Sequence, residues 1–173
     1  MGTNHMGRQS IRFPQPPVVR GFASVAGKKE REGPLGDQFT ATVQDTTFGE
    51  KSWERAERRM QQMTLELALE KAGLTDADLD AAFAGDLLNQ CIGSSFSLRN
   101  RGVPTLGLYG ACSTMAESLL LAAMSVSGGY ARTALAMTSS HFASSERQYR
   151  FPLGYGGQRT PTSQWTVTGA GAV

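Results

Sequence analysis

A chain of 173 residues, 40% hydrophobic and 18% charged, has the size and apolar content of one folded domain with a sizeable core, which excludes a disordered segment. The formal net charge of +2, with both signs interspersed, provides no basic stripe for phosphate neutralisation, so nucleic acid is excluded as the expected partner. Two cysteines, Cys91 and Cys112, and two histidines, His5 and His141, are too few for a disulfide framework or a four-ligand zinc site, and a reducing compartment fits; with no metal-ligand spacing along the chain no metal is expected, and no cofactor is expected either.

The opening stretch Met1 to Met6 lacks the apolar core and small-residue cleavage site of a signal peptide and reads as an expression scar ahead of a start at Met6. Pro14, Pro16 and Pro17 make the following residues extended, so 1–17 is set apart from a domain over 18–173. Val18 to Val25 predicts the first strand. From Ala26 to Glu50 glycine, proline and mixed charge predict a surface excursion that packs through Phe39 and Phe48, long enough to suggest a functional covering segment. Trp53, Ala56, Met60, Met63 and Leu67 then recur at three- and four-residue spacing, with Glu54, Arg55, Glu57, Arg58, Arg59 and Glu66 falling largely between them. That period predicts an amphipathic helix over 53–72, N-capped by Ser52 and stopped at Gly73. Thr75 to Leu79 suggests one further turn.

Ala81 to Gly85 predicts a short buried strand ending at Asp86, Gln90 to Arg99 a short helix despite Gly93, and Val103 to Tyr109 a strand with Pro104 at its start. After Cys112 the run Met115, Ala116, Leu119, Leu120, Ala123, Met124 is apolar nearly all round and predicts a helix buried between layers. Thr114 and Glu117 have capping-box spacing at its start, and Gly128 and Gly129 end it. The apolar run Leu119 to Val126 is far shorter than the about 20 residues a membrane crossing needs. Thr133 to Thr138 and Trp165 to Val173 are the remaining strands, the last looking cut at Val173. Strands alternating with helices predict an α/β fold: a mixed, mostly parallel five-stranded sheet with helices on both faces.

Pockets in such sheets form beyond the carboxyl ends of the strands, which here carry Asp86, Cys112, and Ser139, Ser140 and His141. A cysteine opening a helix meets unpaired amide donors, which favour a thiolate and can also hold a carboxylate or an oxyanion. Equally, cysteine is often buried simply as a small hydrophobe, and Cys91, which lacks the elbow context, is expected to be inert. Asp86 could bind a ligand, act as a base or cap the next helix, with capping favoured by spacing and Asn89 able to do the same. His141 could serve Cys112 as a base or be a hydrogen-bonded loop residue. Ser139 and Ser140 suit an anion as donors, and Arg147 could clamp a carboxylate. The glycines of Gly154-Tyr155-Gly156-Gly157 and Gly169-Ala170-Gly171 serve turns and close packing better than phosphate loops.

Glu32-Gly33-Pro34-Leu35-Gly36, Gly85-Asp86-Leu87-Leu88-Asn89-Gln90, Gly110-Ala111-Cys112-Ser113-Thr114, Thr138-Ser139-Ser140-His141, Glu146-Arg147-Gln148 and Tyr155-Gly156-Gly157-Gln158 occur in one order. Together they resemble the stage V sporulation protein AD family, from about Val18 to Val173. The resemblance implies a thiolase-like N-terminal half, whose C-terminal half would carry most of the histidine and asparagine groups that activate such a cysteine. It implies a sporulation protein that binds dipicolinic acid for uptake into the developing spore, with Asp86, Cys112, Leu135 and Ser139 as ligand-binding residues and Ser140, His141 and Arg147 as secondary candidates. Asp86 facing a dianion implies a bridging calcium ion, a water or a proton on the acid. The implied partners are other proteins of the same spore transport system and a second copy of the chain. The implied location is the cytoplasm or the periphery of the developing spore membrane. A binder is favoured over an enzyme; the alternatives are an acyl-transferring thiolase or condensing enzyme using Cys112, and a scaffold for membrane partners.

Overall fold

The structure, a computed structural model, describes residues 4–149 and 167–173. At the amino end β1 (His5–Met6) and β2 (Ser10–Ile11) form a small antiparallel pair. The chain then enters β3 (Ala23–Ala26), followed by a one-turn α1 (Lys28–Arg31) and β4 (Ala41–Thr42). Helix α2 (Trp53–Ala72) has the predicted bounds. Ser52 accepts the Arg55 amide at its start, and Gly73 takes the left-handed φ of 66° that ends it, where a side chain would be strained. A 3-10 turn over Asp76–Asp78 leads into β5 (Ala81–Gly85), α3 (Ile92–Leu98), the strand β6 (Thr105–Leu108), α4 (Thr114–Ser127), β7 (Ala134–Ser140), α5 (Phe142–Tyr149) and β8 (Gly169–Ala172).

The main sheet has the order β4-β3-β8-β7-β5-β6. Pairings β3–β4, β5–β6 and β5–β7 are parallel, whereas β8 runs antiparallel to both of its neighbours. The sheet is therefore mixed as expected, but it has six strands rather than five. The extra strand is β4, two residues hidden inside the predicted covering segment; a pairing that short leaves no alternation to read. The first strand also contracts from the predicted 18–25, because β3 pairs with β8 only over four residues, and Val18, Val19 and Phe22 are exposed. The beginning of the expected last strand, Trp165 and Thr166, lies outside the described residues.

Helix α2 covers one face of the sheet, with Leu65 and Ala68 packed against Ala82, Ala84, Leu135 and Met137, and Ala56 and Met60 against Val25 and Ala170. Helix α4 covers the other face through Ala122, which packs with Phe83 of β5 and Ala136 of β7. Helices thus lie on both faces, as the alternating pattern requires. Helix α4 differs from its expectation of burial on all sides: Leu119, Leu120 and Met124 are exposed. The excursion between β3 and α2 is anchored as predicted by Phe48, while Phe39 is half-buried. Among the described residues no helix is long and apolar enough to cross a membrane.

Candidate site at the carboxyl ends of the central strands

Strands β5, β6 and β7 run parallel, so Asp86, Cys112 and His141 all follow carboxyl ends on one edge of the sheet. After β6 the chain turns at Gly110 into a 3-10 turn over Ala111–Ser113 and then α4. Ala111 has φ of 49°, a left-handed backbone that costs a side-chain-bearing residue energy and marks a tight elbow. Cys112 at its tip is exposed. Gly85 makes this approach possible: a Cβ there would lie 2.2 Å from the Leu108 carbonyl oxygen and 2.5 Å from Thr114 Cγ2. The capping box expected from Thr114 and Glu117 does not form. Instead the Thr114 hydroxyl donates to the Ala111 carbonyl and accepts the Gly110 amide, because the preceding turn runs directly into the helix.

Asp86 is fully buried and acts as a local cap. Its Oδ1 accepts the Leu88 amide at 3.0 Å, and its Oδ2 accepts both the amide and the hydroxyl of Ser94 at 2.7 Å. Gly93 is part of this packing, since a Cβ there would lie 3.1 Å from the Asp86 carboxyl carbon. From Ser94 the hydrogen bonding continues into α2. Gln61 Nε2 donates to Ser94 Oγ at 3.1 Å and to Ser139 Oγ at 2.7 Å, while Gln61 Oε1 accepts the Ser97 hydroxyl at 2.6 Å. The Ser139 hydroxyl in turn donates to Glu57 Oε1 at 2.8 Å, and Ser144 donates to Glu57 Oε2.

This buried chain joins α2, α3, β7 and α5 through side chains that all have partners, the condition under which a polar network specifies one packing. Glu57 is its unusual member: a carboxylate with no solvent exposure whose described partners are hydroxyls rather than cations. Burial pushes its carboxyl up to about 7, with Asp86 and Glu54 adding repulsion and the Ser144 and Ser139 hydroxyls opposing the rise.

The other candidates are tied down elsewhere. His141 is buried, with Nε2 2.7 Å from the Thr46 carbonyl oxygen and Nδ1 accepting the Ala143 amide at 3.2 Å. It sits against Phe142 with ring centroids 5.0 Å apart and against Trp53 at 5.5 Å. Burial lowers its affinity for a proton below that of an ordinary imidazole. Arg147 pairs with Glu54 at 2.6 Å, and Ser140 Oγ lies 3.4 Å from Ser145 Oγ. Cys91 is buried, its thiol donating to the Leu108 carbonyl at 3.1 Å and pushed up by burial and by Asp86. Leu135 stands four residues before Ser139 on β7, roughly 13 Å back along the strand. It packs in the core with Leu65 and borders a cavity of about 230 Å³ at the other end of the sheet.

The structure therefore joins Asp86 and Ser139 through Ser94 and Gln61, sets Cys112 on the adjoining elbow, and keeps Leu135 apart from them. The spacing of α2 groups Glu57 with the polar residues of the helix and does not single out Gln61, yet both turn inward. Their signal was the four-residue step Glu57, Gln61, Leu65, which continues to Ala68 on one buried face. The Gly154 to Gly157 run and the Tyr155 to Gln158 motif lie outside the described residues.

Against known proteins, the sequence profile of the family Stage V sporulation protein AD matches residues 7–173, extending the resemblance upstream of Val18. Stage V sporulation protein AD of Bacillus subtilis is 45% identical over 167 residues, covering 96% of this chain and 49% of that protein. Among solved structures, 3-oxoacyl-[acyl-carrier-protein] synthase III from Aquifex aeolicus matches with a TM-score of 0.57 at 18% identity, over 90% of this chain and 52% of that one. Xanthomonas campestris OleA, in a structure with bound lauric acid and lauroyl-CoA, matches with a TM-score of 0.58 at 15% identity, over 91% and 55%. These structural likenesses establish the thiolase-like fold, and the chain spans about half the length of the relatives it matches. On the family profile and the 45% identity, the chain belongs to the stage V sporulation protein AD family and is a sporulation protein with a thiolase-like fold.

Proposed function

We propose that this protein binds dipicolinic acid, a pyridine flanked by two carboxylates, at the carboxyl ends of β5, β6 and β7, for uptake into the developing spore. The observation that carries the reading is the state of Asp86. Its carboxylate is already answered by two amides and a hydroxyl, which take the place of solvent around it and hold it back from a dianion bound beside it. Ser139 supplies a hydroxyl for a ligand carboxylate, Cys112 forms the exposed rim, and Leu135 acts from the core behind Ser139 by holding β7 in place. The uncovered α4 face supports docking of the second half expected of a thiolase-like protein. A homodimer working with other proteins of the spore transport system completes the proposal. Calorimetric titration of the full-length protein with dipicolinate tests it: saturable binding weakened by Cys112→Ala, Asp86→Ala or Ser139→Ala is expected, and no binding by the wild type overturns it.

Acyl transfer is the second reading, favoured by the exposed thiol on a left-handed elbow. Both ring nitrogens of His141 are engaged away from Cys112, so a base for this reading would have to come from the second half. Mass spectrometry of the full-length protein after incubation with acyl-coenzyme A separates the readings, because only an acyl transferase acquires an adduct on Cys112.

A further inference from the structure

We propose that Glu57 is a positioning residue for Ser139, and that Ser139 offers its hydroxyl to an anionic ligand only once Glu57 has taken a proton from solvent. The inference rests on the dipicolinate reading and adds a proton to it. Serine has one hydrogen to donate and two lone pairs to accept with. One lone pair of Ser139 is filled by Gln61 Nε2 at 2.7 Å, and its hydrogen is given to Glu57 Oε1 at 2.8 Å. In that arrangement Ser139 turns no donor toward a ligand, and an ionised Glu57 behind it repels an anion across a poorly solvated interior.

Protonation reverses the direction of one hydrogen bond. A neutral Glu57 donates its new O–H to the second lone pair of Ser139, whose own hydrogen is released to swing toward the ligand carboxylate. One proton leaves water and none is lost elsewhere, so ligand and proton bind together and each raises the affinity for the other. The charges around Glu57 favour this exchange. Asp86 approaches from the β5–α3 connection and Glu54 lies one turn earlier on α2. The charged residues of α5 are Glu146 and Arg147, and Arg147 is drawn to Glu54. Arg58, next to Glu57 on α2, turns to Glu50 at 3.4 Å, and His141 is engaged by Thr46. A carboxyl already held near 7 needs little further push from a bound dianion.

The test is calorimetric titration of the full-length protein with dipicolinate at pH 8 in buffers of different ionisation heat, which counts protons taken up per ligand bound. The expected wild-type result is uptake approaching one proton at pH 8, little uptake at pH 6, and affinity falling by up to about tenfold per pH unit above neutrality. Glu57→Gln, whose amide donates to Ser139 at every pH, is expected to bind at pH 8 at least as tightly as the wild type with no proton uptake. Wild-type binding without proton uptake at pH 8 overturns this inference and leaves the ligand reading standing, and it does so even if the variant fails to fold. Undiminished uptake in Glu57→Gln also overturns it, by placing the proton elsewhere. Absence of wild-type binding overturns the ligand reading, and the inference with it.

Discussion

Gln61 Nε2 donates to Ser139 Oγ at 2.7 Å across 78 residues of sequence, tying the middle of α2 to the end of β7. The same amide also serves Ser94 and Ser97, so one side chain sets the spacing between a sheet strand and two helices. Replacing it with leucine removes partners from three buried serines at once. Gln61→Leu is expected to destabilise the protein by about 2–4 kcal/mol, given what buried unpaired polar groups cost. A lowered urea midpoint with an unchanged slope checks this, and an unchanged midpoint contradicts the network.

Glu57 makes stability depend on pH in the direction opposite to a salt-bridged acid. Its folded carboxyl, at about 7, lies above its ordinary value of 4.5, so the folded state holds the proton more tightly between those values. Stability from this group is complete below pH 4.5, declines as pH rises toward 7, and is flat above. Glu57→Gln keeps the neutral form, so it is expected to match the wild type near pH 4 and to exceed it at pH 8 by roughly 1–3 kcal/mol. Thermal unfolding of both proteins at the two pH values measures the difference.

Gly85 is the point where the elbow touches the sheet. Gly85→Ala would drive a methyl into the Leu108 carbonyl oxygen and Thr114 Cγ2, a backbone collision that no rotamer change relieves. A loss of about 2 kcal/mol or more is expected, in the range of overpacked cores. Equal stability of wild type and variant in urea would show that β6 can retreat.

The two cysteines should differ in chemistry as they differ in place. Cys112 is exposed, whereas Cys91 is buried, with its thiol pushed up by burial first and by Asp86 second. Iodoacetamide at pH 7.5 is expected to label Cys112 roughly tenfold faster or more, since reaction needs an accessible thiolate. Peptide mapping over a time course reads the ratio, and comparable rates would refute the burial of Cys91.

Local patterns carried much of this fold. The 3.6-residue period, Ser52 and Gly73 placed α2 at its observed ends, and the apolar run Ala81 to Gly85 placed β5, because each signal lies within a few neighbouring residues. The motifs around Asp86, Cys112 and Ser139 marked the sheet edge that carries the candidate site and the family to which the chain belongs.

What the sequence determined by itself was therefore the kind of fold, the order of most of its elements and the loops that bear the candidate site. Only the tertiary structure decided that Glu57 and Gln61 turn inward and that Leu135 stays a strand's length from Asp86. It also decided that β4 adds a sixth strand and that β8 runs against its neighbours. The reason is physical. A polar residue on a helix is worth burying only when distant segments bring it donors, and the partners of Gln61 lie 33, 36 and 78 residues away.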